Sequence, residues 1–145
     1  MIIEKTQDLF SVDMDEYYFA HCISGDYTLG AGIAKTFAQY YNLRERLANM
    51  YPVPEDDEFA NVGKALLVDN VFSLVDKPKY YNRASYEAVE SALIDMKEQC
   101  DNLGITKIAM PMIGCGRDRL DWDKVRLFIE SVFDHSDIEV LICKL

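Results

Sequence analysis

The chain alternates between continuous runs of apolar residues and segments whose apolar residues recur at helical spacing. The continuous runs, which are typical of buried strands, cover residues 2–3, 17–23, 63–68, 71–75, 105–110 and 138–143. The pair Asp69-Asn70 separates two of these runs and indicates a hairpin. The pattern therefore predicts six strands, of which two are antiparallel neighbours.

Helical spacing of apolar residues fills most of the intervals between the strands. These helical segments cover residues 33–41, 43–50, 89–100 and 125–133. Asn42 is expected to separate the helices at 33–41 and 43–50. Ser85 and Asp121 are expected to cap the last two helices, and Gly104 is expected to end the helix that Ser85 begins. Helices alternating with strands, plus one hairpin, predict an α/β fold with a mixed sheet between helical layers.

Two glycine-bearing turns connect a predicted strand to a predicted helix. Gly30-Ala31-Gly32 follows the strand at 17–23, and Gly114-Cys115-Gly116 follows the strand at 105–110. Glycine lets the backbone approach a ligand closely, and the first N–H groups of a helix have no partner within it. If the two strands are parallel neighbours, both turns lie at one sheet edge and suit an extended anion such as a diphosphate.

Neither turn is a familiar nucleotide-binding loop. No Gly-Lys-Ser/Thr follows at the spacing of a P-loop, and Lys35 occupies the third glycine position of the dinucleotide-binding fingerprint. The turns therefore predict a phosphate site of another kind.

Length and charge narrow the class of protein. The 145 residues, half of them hydrophobic, suit one domain spanning 1–145. The formal net charge of −10 argues against stable nucleic-acid binding, because such a surface repels phosphate backbones. No segment resembles a signal peptide or a membrane span, so we expect a cytoplasmic protein without membrane contact and, lacking a surplus apolar stripe, a monomer.

The four cysteines predict free thiols in a reducing compartment. No two of them form a C-x-x-C pair, so zinc or thioredoxin-type chemistry has no support. Cys115 lies between two glycines, but no histidine partner is evident for it, which argues against a cysteine hydrolase.

Several separate segments together resemble the macro domain family. They are Asp8-Leu9-Phe10 after the first strand, AHCIS at 20–24, GAGIA at 30–34 and MPMIGCGRDRL at 110–120. AHCIS with IGCGRDRL is similar to the terminal ADP-ribose protein glycohydrolase branch of the family. The resemblance extends from Ile2 to Leu145 and implies a three-layer α/β/α macro domain with a mixed six-stranded sheet.

The resemblance also implies an ADP-ribose site and no metal or redox cofactor. Asp8 would bind the adenine amino group beside the Leu9 backbone, although a turn-capping aspartate is the alternative. Ser24 would contact the distal ribose or bond locally in its loop. The remaining implied ligand-binding residues are His21, Gly30, Ala31, Gly32, Ile33, Ala34, Met112, Ile113, Gly114, Cys115, Gly116, Arg117 and Leu145. Of these, His21 is expected to be a satisfied core histidine rather than a catalytic base.

Two residues carry the catalytic hypothesis that the resemblance implies. Lys77, just beyond a predicted strand, would attack C1″ of the distal ribose, which requires an uncharged amine. Asp118 would move protons for formation and hydrolysis of the adduct. Lys79 is a rival for the nucleophile, a solvated loop lysine is the alternative for Lys77, and an ion pair with a neighbouring arginine is the alternative for Asp118.

The expected activity is removal of mono-ADP-ribose from acidic side chains, or from nucleobases by the same C1″ chemistry. Two alternatives remain open: a module that binds ADP-ribose without cleaving its conjugates, and a hydrolase of O-acetyl-ADP-ribose or ADP-ribose 1″-phosphate. Tyr80 and Tyr81 stand where a more basic stretch is expected. They would line the ribose side of the site or cover the sheet.

Overall fold

A mixed six-stranded sheet forms the centre of the computed structural model, which describes residues 1–145. The strands are β1 (Ile2–Thr6), β2 (Tyr18–Ser24), β3 (Ala65–Val68), β4 (Val71–Lys77), β5 (Lys107–Met110) and β6 (Glu139–Lys144). The helices are α1 (Gly32–Tyr41), α2 (Leu43–Met50), α3 (Tyr86–Leu103) and α4 (Trp122–Val132), with a short 3₁₀ helix at Leu9–Ser11. None of these helices combines the length and apolar character needed to cross a bilayer.

The strand order β1-β6-β5-β2-β4-β3 brings β2 between β5 and β4. Every pair is parallel except β3 with β4, which are antiparallel about the turn at Asp69, whose φ is 51°. The predicted hairpin and mixed sheet are thus confirmed. Because β2 and β5 are parallel neighbours, the loops that follow them lie at the same sheet edge.

Two hydrophobic clusters fill the space on the two faces of the sheet. On one face, α3 and α4 pack Val89, Met96 and Ile129 against Phe72 and Ile108 of the strands. On the other face, a second cluster joins α1 and α2 to the sheet, and its members include Phe19, Phe37, Leu43, Leu47 and Val75. Burial of both sheet faces confirms the three-layer α/β/α arrangement.

Local chemistry sets the helix boundaries as predicted. The side-chain oxygens of Ser85 and Asp121 accept hydrogen bonds from N–H groups in the first turns of α3 and α4, at 3.1 and 3.0 Å. Gly104 ends α3 in the left-handed conformation (φ 71°). Asn42 adopts the same conformation (φ 50°) and separates α1 from α2.

Strand boundaries differ from the prediction on both sides of the hairpin. β3 begins at Ala65 rather than at Gly63, whose φ of 82° lies outside the extended region. β4 continues to Lys77 instead of stopping at Val75, because its pairing with β2 resumes at Ser24 and Lys77 after an irregularity. Lys77 is therefore the last residue of a strand and not a loop residue beyond it. β5 begins at Lys107, two residues later than predicted.

Candidate active site

A cleft of about 1090 Å³ opens at the carboxyl ends of β2, β4 and β5. Its walls come from the end of β2 with residues 28–34, from the end of β4 with residues 80–84 and Tyr86, and from residues 111–114 and 116–120 after β5. Both glycine turns line it, as the sequence predicts for parallel neighbouring strands. A cleft of this size accommodates a dinucleotide-sized ligand.

The first glycine turn presents free backbone donors to the cleft. Gly32 begins α1 with a φ of 59°, which glycine adopts without strain. The first helical bond runs from the Lys35 N–H to the Ala31 carbonyl at 3.3 Å. The N–H groups of Gly32, Ile33 and Ala34 precede it and have no partner within the helix, so they favour an anion at this point.

The second glycine turn is held in shape by its own backbone. The Leu120 N–H donates to the Gly114 carbonyl at 2.8 Å, and the Cys115 N–H donates to the Met112 carbonyl at 3.3 Å. Gly114 has a φ of 73°, and a Cβ atom there would lie 3.0 Å from Leu120 Cδ1. The turn thus favours glycine at position 114 for its conformation, and a larger residue would also require the Leu120 side chain to shift.

Lys77 and Asp118 meet in the cleft between these turns. Lys77 Nζ donates to Asp118 Oδ1 at 2.5 Å across a sequence separation of 41 residues. Their side chains are only 13% and 12% exposed, so this ion pair is largely shielded from water. The partner of Asp118 is therefore Lys77 and not an adjacent arginine. Lys79 is absent from the cleft lining, and its N–H donates to Asn82 Oδ1.

A third ionisable group, Asp76, stands beside the pair and was missed by the sequence reasoning. Asp76 is 1% exposed, and its carboxyl group lies near the carboxyl group of Asp118 and the thiol of Cys22. Burial first, then the proximity and negative charge of the Asp118 carboxyl, raise the pKa of Asp76 to about 9. An acidic residue directly after the apolar run 71–75 was the available signal.

Asp118 has the opposite electrostatic behaviour from its neighbour. Burial works against its ionisation, but the adjacent Asp76 carboxyl and the hydrogen bond and charge of Lys77 outweigh burial and lower its pKa. The pKa values of two adjacent carboxyls are therefore shifted in opposite directions, that of Asp76 upward and that of Asp118 downward. Divergent proton affinities of this kind are typical of acid–base sites.

His21 and Ser24 occupy the wall contributed by β2. His21 is 1% exposed, its Nε2 pairs with Ser73 Oγ at 2.8 Å, and burial lowers its pKa to about 3. A neutral, buried imidazole is consistent with a core histidine, although Nδ1 has no hydrogen-bond partner. Ser24 Oγ donates to Asp26 Oδ1 at 2.6 Å, which is the hydrogen bond within its loop that the sequence left open. Ser24 also lines the cleft.

The cysteines near the site are protonated thiols. Cys115 Sγ donates to the Ile113 carbonyl at 3.2 Å, and burial raises the pKa of Cys115 to about 11. Burial likewise raises the pKa of Cys22 well above its ordinary value. All four cysteines are free, and no three His, Cys, Asp or Glu side chains gather as a metal site. Neither thiol is prepared to act as a nucleophile.

Four of the residues implied by the family resemblance lie outside the cleft lining. Cys115 packs beneath its loop, against the α3/α4 cluster. Asp8, Leu9 and Leu145 follow β1 and β6, so they share the sheet edge but lie two strands or more from β2. Asp8 is exposed and caps the 3₁₀ helix through the Phe10 N–H, at 3.0 Å. Adenine binding by Asp8 and Leu9 stays a prediction.

The segment after β4 adds aromatic surface to the cleft rim. Tyr80 and Tyr81 pack edge to face with ring centroids 5.3 Å apart, and they are 64% and 71% exposed. The Tyr80 N–H donates to Asp26 Oδ2 at 2.9 Å, which ties this segment to the loop after β2. The sequence left open whether these tyrosines line the site or cover the sheet. In the structure both of them line the cleft.

The fold and the paired glycine loops define a macro domain, and this chain belongs to that family: the sequence model of the Macro domain matches residues 21–129. It is 35% identical over 137 residues to the human ADP-ribose glycohydrolase OARD1, covering 93% of this chain and 86% of that protein. Among solved structures, the macrodomain of Mycobacterium tuberculosis DarG superposes with a TM-score of 0.83 at 22% identity, covering 99% and 97% of the two chains. The macrodomain of Thermus aquaticus DarG gives 0.82 at 18% identity, covering 100% and 99%.

Proposed function

We propose that this protein is a hydrolase that releases ADP-ribose from acidic protein side chains, with Lys77 as nucleophile and Asp118 as proton carrier. The observation that carries the proposal is the shielded Lys77–Asp118 pair, placed between two glycine turns in one cleft. The similarity to a protein named as an ADP-ribose glycohydrolase supports the general reaction. The acidic-side-chain substrate is the finer part of the proposal.

The backbone of the cleft is suited to hold the diphosphate of ADP-ribose. The N–H groups at the start of α1 attract an anion without any basic side chain, which matters on a chain of net charge −10. Arg117 and Arg119 add positive charge in the opposite wall. With the diphosphate between the two turns, the distal ribose would lie toward Lys77 at the end of β4.

The reaction begins with proton transfer from the Lys77 ammonium to Asp118. The free amine forms a C–N bond at C1″, while the C1″–O bond to the side chain breaks and the carboxylate leaves with its electron pair. The nitrogen then loses its remaining extra proton, and the ring oxygen gains one as the ribose opens to a Schiff base. Water adds to C1″, the C–N bond breaks, and Lys77 and free ADP-ribose are restored.

The experiment compares release of ADP-ribose from a glutamate-linked substrate by wild type, Lys77→Ala, Lys77→Arg and Asp118→Ala. We expect each variant to lose roughly 100-fold or more in rate, the scale of a lost nucleophile or acid–base group. Lys77→Arg keeps a cation beside Asp118 but provides no amine, so it separates charge from nucleophilicity. Lys79→Ala is the matched control and should keep full activity. Full activity of the Lys77 and Asp118 variants would refute the mechanism.

Measurements on the same protein preparation distinguish two other candidate functions from the proposed one. Calorimetric binding of ADP-ribose with no cleavage of any conjugate would select a binding module. Faster release of acetate from O-acetyl-ADP-ribose, or of phosphate from ADP-ribose 1″-phosphate, would select a small-molecule hydrolase. The exposed Tyr80–Tyr81 pair at the rim favours including a nucleobase-linked conjugate, since aromatic rings stack on bases.

A further inference from the structure

The buried carboxyl of Asp76 has no hydrogen-bond donor assigned to it. The residue is 1% exposed, and neither Oδ1 nor Oδ2 has a partner. Phe72, Leu74 and Asp76 occupy alternate positions of β4 and therefore share one face of the sheet. Phe72 and Leu74 belong to the apolar cluster under α3 and α4. An ionised carboxylate at such a place would carry a large desolvation cost with no compensating bond.

The groups that face Asp76 come from three elements. They are Asp118 from the loop after β5, Cys22 from β2 and Lys77 from its own strand. At the start of α3, the Ser85 N–H donates to the Asp76 main-chain carbonyl and not to its carboxyl. With both aspartates ionised and Lys77 charged, the shielded cluster would hold one uncompensated negative charge. One proton on the carboxyl pair removes that charge.

We propose that Asp76 is held as a neutral carboxylic acid that donates a hydrogen bond to the Asp118 carboxylate and so positions Asp118 against Lys77. Asp118 already accepts from Lys77 Nζ through Oδ1. Since a carboxylate offers about four acceptor positions, it can accept from Asp76 at the same time. Asp76 is thus a positioning residue, and its effect on catalysis rests on the proposed function above.

The raised pKa of Asp76 and the lowered pKa of Asp118 agree with this arrangement. They also give it a consequence in the alkaline range. When Asp76 ionises near pH 9, Asp118 loses its donor and meets a like charge beside it. Activity should therefore fall along an alkaline limb that belongs to Asp76.

The experiment uses Asp76→Asn, Asp76→Ala and, as a control for a buried polar residue on the same strand, Ser73→Ala. Difference infrared spectra of wild type and Asp76→Asn at about pH 7 report whether a protonated carboxylic acid is present. Rates on the glutamate-linked substrate are measured across pH for all proteins. Urea unfolding of each variant shows which of them are folded.

We expect the infrared band of a protonated carboxyl in wild type and not in Asp76→Asn. The asparagine amide still donates to Asp118 and does not ionise, so this variant should keep its rate within a few-fold and lose the alkaline limb. Asp76→Ala should lose about 10- to 100-fold in kcat with little change in KM, the scale of one hydrogen bond to a charged group. Ser73→Ala should keep both the band and the limb.

The proposal is overturned if wild type shows no protonated carboxyl, or if Asp76→Asn keeps the alkaline limb of wild type. It is also overturned if the asparagine and alanine variants lose activity equally while folded. Absence of turnover in wild type would instead refute the proposed function. In that case the infrared result alone decides the protonation of Asp76.

Discussion

Replacing Asp76 with asparagine should change how the stability of the protein depends on pH. A free aspartate titrates near pH 3.9, whereas burial raises the pKa of Asp76 in the folded chain to about 9. Between those values the folded protein holds a proton that the unfolded chain releases. The stability that this proton provides is complete below about pH 4 and is lost progressively as pH rises toward 9.

The magnitude follows from one proton per molecule. Each pH unit inside the window changes the free energy of unfolding by about 1.4 kcal/mol, so wild type should lose about 3 kcal/mol between pH 6 and 8 from this group alone. Asp76→Asn has no such proton and loses none of it. With a urea m-value of about 2 kcal/mol/M, the difference between the two midpoints should change by about 1.5 M.

The assay is urea unfolding of both proteins at closely spaced pH values, and the quantity compared is the difference between their unfolding free energies. Other titrating groups, such as His21, are common to both proteins and cancel in that difference. The m-values should agree, which shows that the same surface unfolds. If the two stability curves run parallel from pH 6 to 8, Asp76 is already ionised in the folded protein and the reasoning is wrong.

Three further predictions concern stability. Gly63→Ala should lower the free energy of unfolding by about 2 kcal/mol, because alanine would have to adopt the φ of 82° and its Cβ would lie 2.9 Å from Ser91 Oγ. An unchanged urea midpoint would contradict this prediction. His21→Gln should flatten the acid dependence of stability: burial lowers the pKa of His21 to about 3, so its contribution is complete above about pH 6.5 and is lost as pH falls toward 3. Arg46→Ala should leave the urea midpoint close to that of wild type, because its ion pair with Asp69 lies on the surface and is screened by water; a clearly lower midpoint would contradict that assignment.

Local sequence chemistry predicts most of the framework. The caps at Ser85 and Asp121, the left-handed residues Asn42 and Gly104, and the hairpin turn at Asp69 depend on a few neighbouring residues and were found where expected. The end of β4 was not, because the strand is prolonged by pairing with β2, more than 50 residues earlier in the chain. Pairing across such a distance leaves no mark in the local pattern.

The candidate site divides in the same way. The two glycine turns follow from strand-to-helix patterns, and the parallel pairing of β2 with β5 brings them together. The choice of Lys77 and Asp118 came from family resemblance, and the structure adds their contact. Asp76 was visible as an acidic residue in an apolar strand, but its importance depends on the loop after β5 folding over it.

Because β1 and β6 are parallel, residues 1 and 145 lie at opposite edges of the sheet. This position of the two residues matters when the molecule is attached to a sensor surface. Met1 Nα donates to the Ile138 carbonyl at the start of β6, which is the far end of the sheet from the cleft. Leu145, 99% exposed, follows the other end of the same strand, beside the loops that surround the cleft. Immobilisation through residue 1 leaves the mouth of the cleft facing the analyte, whereas a tether at residue 145 crowds it.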